Sequence, residues 1–332
     1  MKYRRLGRSD LEVSTVCMGC WTLIGDATWG PQDEADSRAA VEAALEAGVN
    51  FFDTAELYGG GESEVVLGKA LGRRRDKVIV ASKVASGNLA PDDLKAACEA
   101  SLRRLGRDYL DLYQVHWPSP DRPIEETLAA LDDLRREGKV RVIGVSNFGA
   151  SYLRELLAVG RVESNQVCYS LLWRPVERDI QPICVAQDIS ILCYSPLCQG
   201  LLTGKFASAD EVPEGRARTR LFSKDRPQSR HHEPGCEAAM FEALAVIRAI
   251  CDEAGVAMNV ASLAWLLAQP GVVSVVTGMR DAAQAAANAR AGDVELAPEV
   301  VARLRDATEP IQRYAGANAD LWQSDSRMER PV

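Results

Sequence analysis

Four side chains in the first third of the chain could carry proton chemistry. In FFDTAELYGGGESE (51–64) two aromatics run into Asp53, and Tyr58 follows five residues later. Lys83 ends the apolar run VIVASK, and His116 ends YLDLYQVH. A phenol, an ammonium, a carboxylate and an imidazole can between them donate, accept and stabilise a proton. An aspartate with histidines can instead ligate a metal. Singly, each has an ordinary explanation: Asp53 as a turn cap, Tyr58 as a loop tyrosine, Lys83 at a solvated rim, His116 as a satisfied core histidine. Together they ask for a common cause, because a lysine at the end of an apolar strand must be solvated or paired.

The elements that would position them alternate along the whole chain. Short apolar, β-branched runs at 16–20, 50–53, 77–82, 109–116, 140–146, 163–170, 189–196 and 272–277 are each followed by a helical pattern. Those patterns cover 33–48, 63–71, 91–106, 124–138, 150–160, 177–188, 237–255 and 281–292. Strands apolar on both faces belong in a buried parallel sheet. Eight strand–helix units predict a (β/α)8 TIM barrel in a single domain spanning 1–332. Residues 2–15 alternate and predict a β-hairpin capping one end, and 297–311 predicts an extra C-terminal helix. The segment 197–236 has no periodicity, and a loop that long is more often functional than idle. A doubly wound sheet would carry a glycine-rich fingerprint after its first strand, where this chain has CWTLIGDATWG.

Barrel enzymes place their chemistry at the C-terminal ends of the strands. Read at those ends, the strands supply Asp53 and Tyr58, Lys83, His116, Ser146 and Asn147, Gln166, Tyr194 and Ser195, then Gly278 and Arg280. Trp21, Trp29, Trp117 and Trp173 lie near strand ends and could wall a pocket or simply pack.

Composition narrows the function further. The chain has 332 residues and a formal net charge of −8, which disfavours nucleic acid and anionic membrane as partners. The N-terminal MKYRRLGRSDLEVS lacks the apolar core of a signal peptide, so a cytoplasmic protein is expected. Nine cysteines at irregular spacing do not form a disulfide framework. Cys17 and Cys20 form a CxxC, but in a strand such residues point to opposite faces, and both are expected to be buried small hydrophobes. A metal-dependent hydrolase needs several convergent histidines. The chain has His116 and the adjacent pair His231–His232, so no metal site is expected.

These motifs, in this order and spacing, resemble the aldo-keto reductases, in the bacterial branch related to potassium-channel β subunits. FFDTAELYG, VIVASKV, YLDLYQVHWP, VSNF (145–148) and YSPLCQGLLTGKF (194–206) carry the resemblance, which runs from the hairpin to Asn288. It implies a catalytic tetrad of Asp53, Tyr58, Lys83 and His116. Tyr58 would be the proton donor in an NADP(H)-dependent reduction of an aldehyde or ketone, sugar-like substrates included, to an alcohol. Lys83 would lower the Tyr58 pKa, Asp53 would hold Lys83, and His116 would orient the carbonyl. Ser146, Asn147 and Gln166 would hold the carboxamide, and Tyr194 would stack on the nicotinamide. Ser195, Leu197, Gln199, Gly200, Leu201 and Lys205 would wrap the pyrophosphate. Gly278, Arg280, Gln284 and Asn288 would take the adenosine end, with Arg280 favouring NADP over NAD. The chain departs from the family's usual Pro-Gly-Ala in having Thr277, Gly278 and Met279. The resemblance also carries an alternative, a slowly turning cofactor sensor that binds a protein partner. The lack of an extension before the hairpin favours the enzyme acting on a small-molecule carbonyl or alcohol.

Overall fold

The computed structural model describes residues 1–331. Its first elements are strands β1 (Tyr3–Arg5) and β2 (Glu12–Ser14), paired antiparallel. Then come β3 (Val16–Gly19), β4 (Phe51–Asp53), β5 (Ile79–Val84), β6 (Leu110–Val115), β7 (Val140–Ser146), β8 (Ser164–Cys168), β9 (Ser190–Tyr194) and β10 (Val272–Gly278). These eight run parallel in chain order, and β10 closes on β3. The surrounding helices are α1 (Glu34–Glu46), α2 (Glu62–Leu71), α3 (Pro91–Leu105), α4 (Ile124–Arg136), α5 (Ala150–Val159), α6 (Ile180–Ala186), α7 (Glu237–Glu253), α8 (Met258–Leu267), α9 (Ala282–Ala289), α10 (Pro298–Asp306) and α11 (Glu309–Ala315). The fold is a (β/α)8 barrel with an N-terminal hairpin. None of the described helices is long and apolar enough to cross a membrane.

The two-residue period of a strand sorts the core into two parts. Phe51 points into the barrel with Ala81, Leu112, Val142, Leu192 and Val276, while Phe52 joins the larger core beneath the helices. Leu6, Leu11 and Val13 from the hairpin complete the inner cluster, so the hairpin plugs the N-terminal end of the barrel. It is pinned there by bonds from Gly7 N to Ser190 Oγ (2.7 Å) and from Ser14 N to Asn50 Oδ1 (2.7 Å). Farther along the strands polar residues follow: Asp53 after Phe51, Lys83 after Ala81, Gln114 after Leu112. The barrel is thus apolar and sealed at one end and polar at the other.

Two helical features depart from expectation. The segment 256–271 contains α8, which the sequence pattern did not predict. It is apolar on every face, so no 3.6-residue contrast marks it. Of its ten residues, Asn259 alone escapes full burial. Helix α8 packs on β10, and α7 lies outside it against α10 and α11, so α8 completes the seventh unit. The extra C-terminal helix is two helices, not one. Pro310 cannot donate a backbone hydrogen bond and disfavours helix at the residue before it. The chain breaks at Thr308, whose hydroxyl bonds Arg305 O (2.9 Å), and α11 restarts with Pro310 in its first turn.

Every cysteine is free; eight are buried and Cys236 is half-buried. Cys17 faces the inner cluster and Cys20, just past β3, the outer one. Burial raises the pKa of both thiols.

Candidate active site

Strand register brings the candidate residues onto adjacent rungs. Asp53 pairs with Gly19 and Ala81, Lys83 with Gln114, and Ser146 with Gln166. Lys83 is fully buried, and its ammonium donates to Asp53 Oδ2 (2.5 Å), Thr54 O (2.9 Å) and the Tyr58 hydroxyl (3.3 Å). All three ammonium protons therefore have acceptors. The other carboxylate oxygen of Asp53 accepts from Gln166 Nε2 (2.8 Å) and Gln114 Nε2 (3.2 Å). Such a buried pair is tolerable because all three ammonium protons and both carboxylate oxygens are answered.

Tyr58 is aimed by the loop after β4. Gly59, Gly60 and Gly61 have φ of 61°, 64° and 98° and turn the chain directly into α2 at Glu62. A Cβ on Gly59 would lie 2.6 Å from Ile24 Cδ1 and push that side chain aside, and the left-handed backbone itself favours glycine. The Tyr58 ring stacks on Trp21 (centroids 5.6 Å apart) and meets His116 edge-on at 5.7 Å.

Burial is the larger influence on Tyr58 and holds its pKa above the ordinary value; Lys83 acts in the expected direction but is outweighed. The phenol is therefore firmly protonated. Burial opposes the charge on Lys83, but Asp53 and Tyr58 outweigh it, and the ammonium is held above its ordinary pKa. Burial and then Lys83 push His116 well below its ordinary value, so the imidazole is neutral. His116 Nδ1 is buried with no partner among the described residues, which leaves Nε2 as the nitrogen able to meet a ligand.

A cleft of about 840 Å³ opens over these groups at the C-terminal end of the barrel. Asp53, Tyr58 and His116 line it, and Lys83 lies behind them. Of the residues expected at a cofactor, Ser146, Asn147, Gln166, Tyr194, Ser195, Leu197, Gln199, Gly200, Lys205, Gly278, Arg280, Gln284 and Asn288 also line it. Leu201 does not; it is buried in the core. Trp21, Trp29 and Trp117 form part of the wall. Trp173 does not: it is fully buried, donates to Ala319 O (3.0 Å) and packs under Arg220.

The cleft stores backbone strain. Asn147, Ser195, Cys198 and Gln199 are non-glycine residues with φ of 62°, 49°, 47° and 57°. Each conformation costs on the order of 1 kcal/mol or more, and such strain gathers where a fold cradles a ligand. Asn147 is overdetermined: its amide donates to His116 O (3.0 Å) and Ser146 Oγ (3.1 Å), and its oxygen accepts from the Tyr194 hydroxyl (2.9 Å). Gln199 Oε1 is buried without a partner.

Several residues in and beneath the cleft escaped the sequence reading. Gln114 was legible, since it lies two residues before His116 on the inward face. Trp322 and Arg327 come from the segment beyond α11 and carried no motif. Glu329 holds that segment in place by accepting from Ala150 N (2.8 Å) and Ser151 N (2.8 Å) at the start of α5. Among the described residues, no three His, Cys, Asp or Glu side chains are placed to hold a metal ion. His231 instead bonds Thr219 O (3.0 Å) in a buried loop.

The sequence of residues 15–309 matches the family model described as "Aldo/keto reductase family". The chain belongs to the aldo/keto reductase family. It is 32% identical to the NADH-specific methylglyoxal reductase of Escherichia coli K12, over 94% of this chain and 100% of that protein. It is 31% identical to a probable voltage-gated potassium channel subunit beta of Oryza sativa, over 92% and 95% of the two chains. An aldo-keto reductase from Klebsiella pneumoniae, solved in complex with NADPH, superposes with a TM-score of 0.73 at 28% identity, over 94% and 97% of the chains. The chain is therefore an oxidoreductase of the aldo-keto reductase type.

Proposed function

We propose that this oxidoreductase reduces an aldehyde or ketone to an alcohol, with Tyr58 as proton donor. The observation that carries the reading is the Lys83 ammonium, bonded at once to Asp53 and to the Tyr58 hydroxyl beneath the cleft. Because Tyr58 accepts from Lys83, its own proton is free to point at a substrate oxygen. As charge grows on the phenolate, Lys83 stabilises it. Neutral His116 offers Nε2 to the same oxygen, and Trp21 and Trp117 exclude water from one side.

The cleft suits a nicotinamide dinucleotide. The strained cradle, the unpartnered Gln199 Oε1 and a cluster of cations support this fit. When bound, the nicotinamide supplies the hydride. Ser146, Asn147 and Gln166 would hold its carboxamide, Tyr194 would stack on its ring, and Ser195, Leu197, Gln199, Gly200 and Lys205 would face its phosphates. Lys205 lies below its ordinary pKa through burial and the nearby charges of Arg216 and Arg280, a cost that bound phosphate relieves. We favour NADP over NAD on this cationic cluster. Arg280 now donates to Trp29 O (2.6 Å) and Gln32 Oε1 (2.8 Å), so a 2′-phosphate must share it with that loop. The NADH-specific bacterial relative makes the NADPH/NADH ratio of kcat/KM the measurement to take first.

We also propose that residues 1–332 work as one domain, in the cytoplasm, on a small-molecule substrate. Tyr58→Phe tests the central assignment. It should lower kcat for carbonyl reduction by about 100-fold or more, with cofactor affinity unchanged by fluorescence titration. A fully active variant would remove Tyr58 from the reaction.

A further inference from the structure

The loop between β9 and α7 carries a cation that the reaction described above does not use. The Arg218 guanidinium lines the cleft, 4.9 Å from the ring centroid of Trp322. Its Nε is buried with no hydrogen-bond partner among the described residues. Arg230 lines the same part of the cleft and adds a like charge rather than relief. The opposing charge that acts on it is Asp26, already occupied by Trp21 Nε1 (2.9 Å), Thr28 N (2.8 Å) and Trp29 N (2.8 Å). Arg327 differs from Arg218: it lies over Trp117 but is neutralised by two bonds to Asp320 (2.8 and 3.0 Å).

Arg218 packs on a different ring from the cations proposed to meet the cofactor. Lys205, Arg216 and Arg280 form their own group, with Arg216 over Trp29. Arg218 instead rests on Trp322, whose indole donates to the Tyr194 hydroxyl (3.4 Å). Its acidic neighbour Asp26 holds Trp21, the ring stacked on Tyr58. Arg218 therefore lies one side chain away from Tyr194, the ring proposed to stack on the nicotinamide. A partly desolvated guanidinium without an acceptor is costly, and a planar anion answers it with paired hydrogen bonds.

We propose that the preferred substrates are carbonyl compounds bearing an anionic group, a carboxylate or a phosphate, that Arg218 binds with Arg230 beside it. This deepens the carbonyl-reductase reading and rests on it. The test compares charged and neutral aldehydes, succinic semialdehyde against its methyl ester and glyceraldehyde 3-phosphate against glyceraldehyde, with wild type, Arg218→Gln and Arg218→Lys. The two pairs tell carboxylate from phosphate. Wild type should favour the charged member of at least one pair by about tenfold or more in kcat/KM. Arg218→Gln should abolish that preference, chiefly through KM, and Arg218→Lys should keep part of it. Equal rates for both members of both pairs overturn the proposal. So does an Arg218→Gln enzyme that loses cofactor affinity and keeps its carbonyl preference. If no aldehyde is turned over, the reductase reading fails separately. Calorimetric titration of succinate and of inorganic phosphate into cofactor-saturated wild type and Arg218→Gln then decides: binding lost in the variant supports the anion site, and no binding to wild type overturns it.

Discussion

Tyr58 and His116 owe their protonation states to burial more than to each other. Because Tyr58 is held above its ordinary pKa, its donor form prevails across neutral pH. Carbonyl reduction should therefore be flat in pH from about 6 to 9. Alcohol oxidation needs the phenolate and should keep rising as pH climbs to about 10 and beyond. Steady-state rates in both directions check this; an oxidation plateau near pH 8 would contradict it. His116 makes a stability prediction. Burial, with help from Lys83, depresses its folded pKa well below the unfolded value of about 6.5. Below that pH the unfolded chain binds a proton that the folded chain refuses, so stability falls as pH falls. The urea midpoint should drop between pH 7.5 and 5.5 in wild type, and drop less in His116→Asn.

Among the elements, the segment after α11 matters most for how the cleft is closed. Glu329 caps the start of α5, a position where an acceptor and a negative charge both stabilise. Glu329→Ala should cost about 1 kcal/mol in unfolding free energy. It should also raise the KM for carbonyl substrate, because Trp322 and Arg327 lose their anchor. Chemical denaturation with parallel kinetics measures both, and an unchanged KM would detach this segment from substrate binding. The same scale shows what could be read in the amino-acid order. Strands such as FFD and VIVASK, buried on both faces and ending in charge, declared the barrel and the rim where Asp53 and Lys83 meet. The motif glycines 59–61 declared the turn that aims Tyr58. Helix α8 stayed hidden because it is apolar all round. Trp322 and Arg327 stayed hidden because tertiary contacts from a segment without periodicity place them. For Trp173 wall and packing stayed open, because nothing in sequence says whether an indole beyond a strand end turns inward or outward.

For the whole molecule, plugging one end of the barrel leaves the cleft at the opposite end to take both cofactor and substrate. A cofactor held there as proposed would bridge the loops after β7, β9 and β10, and its affinity would add to global stability. A cofactor at 100 times its Kd should stabilise the fold by about 2.7 kcal/mol. The midpoint of thermal unfolding should rise more with NADPH than with NADH at equal concentration. The opposite order would reverse the proposed preference.

The buried thiols offer a reporter that needs no engineering. A thiol reacts as its thiolate, and here burial both shields the sulfur and raises the pKa, for Cys98 and Cys198 to about 12. Half-buried Cys236 is also raised, to about 12. A thiol-reactive dye should therefore label the native chain slowly, starting at Cys236. The other eight sulfurs would react as the structure opens, so dye uptake would time the opening of the barrel.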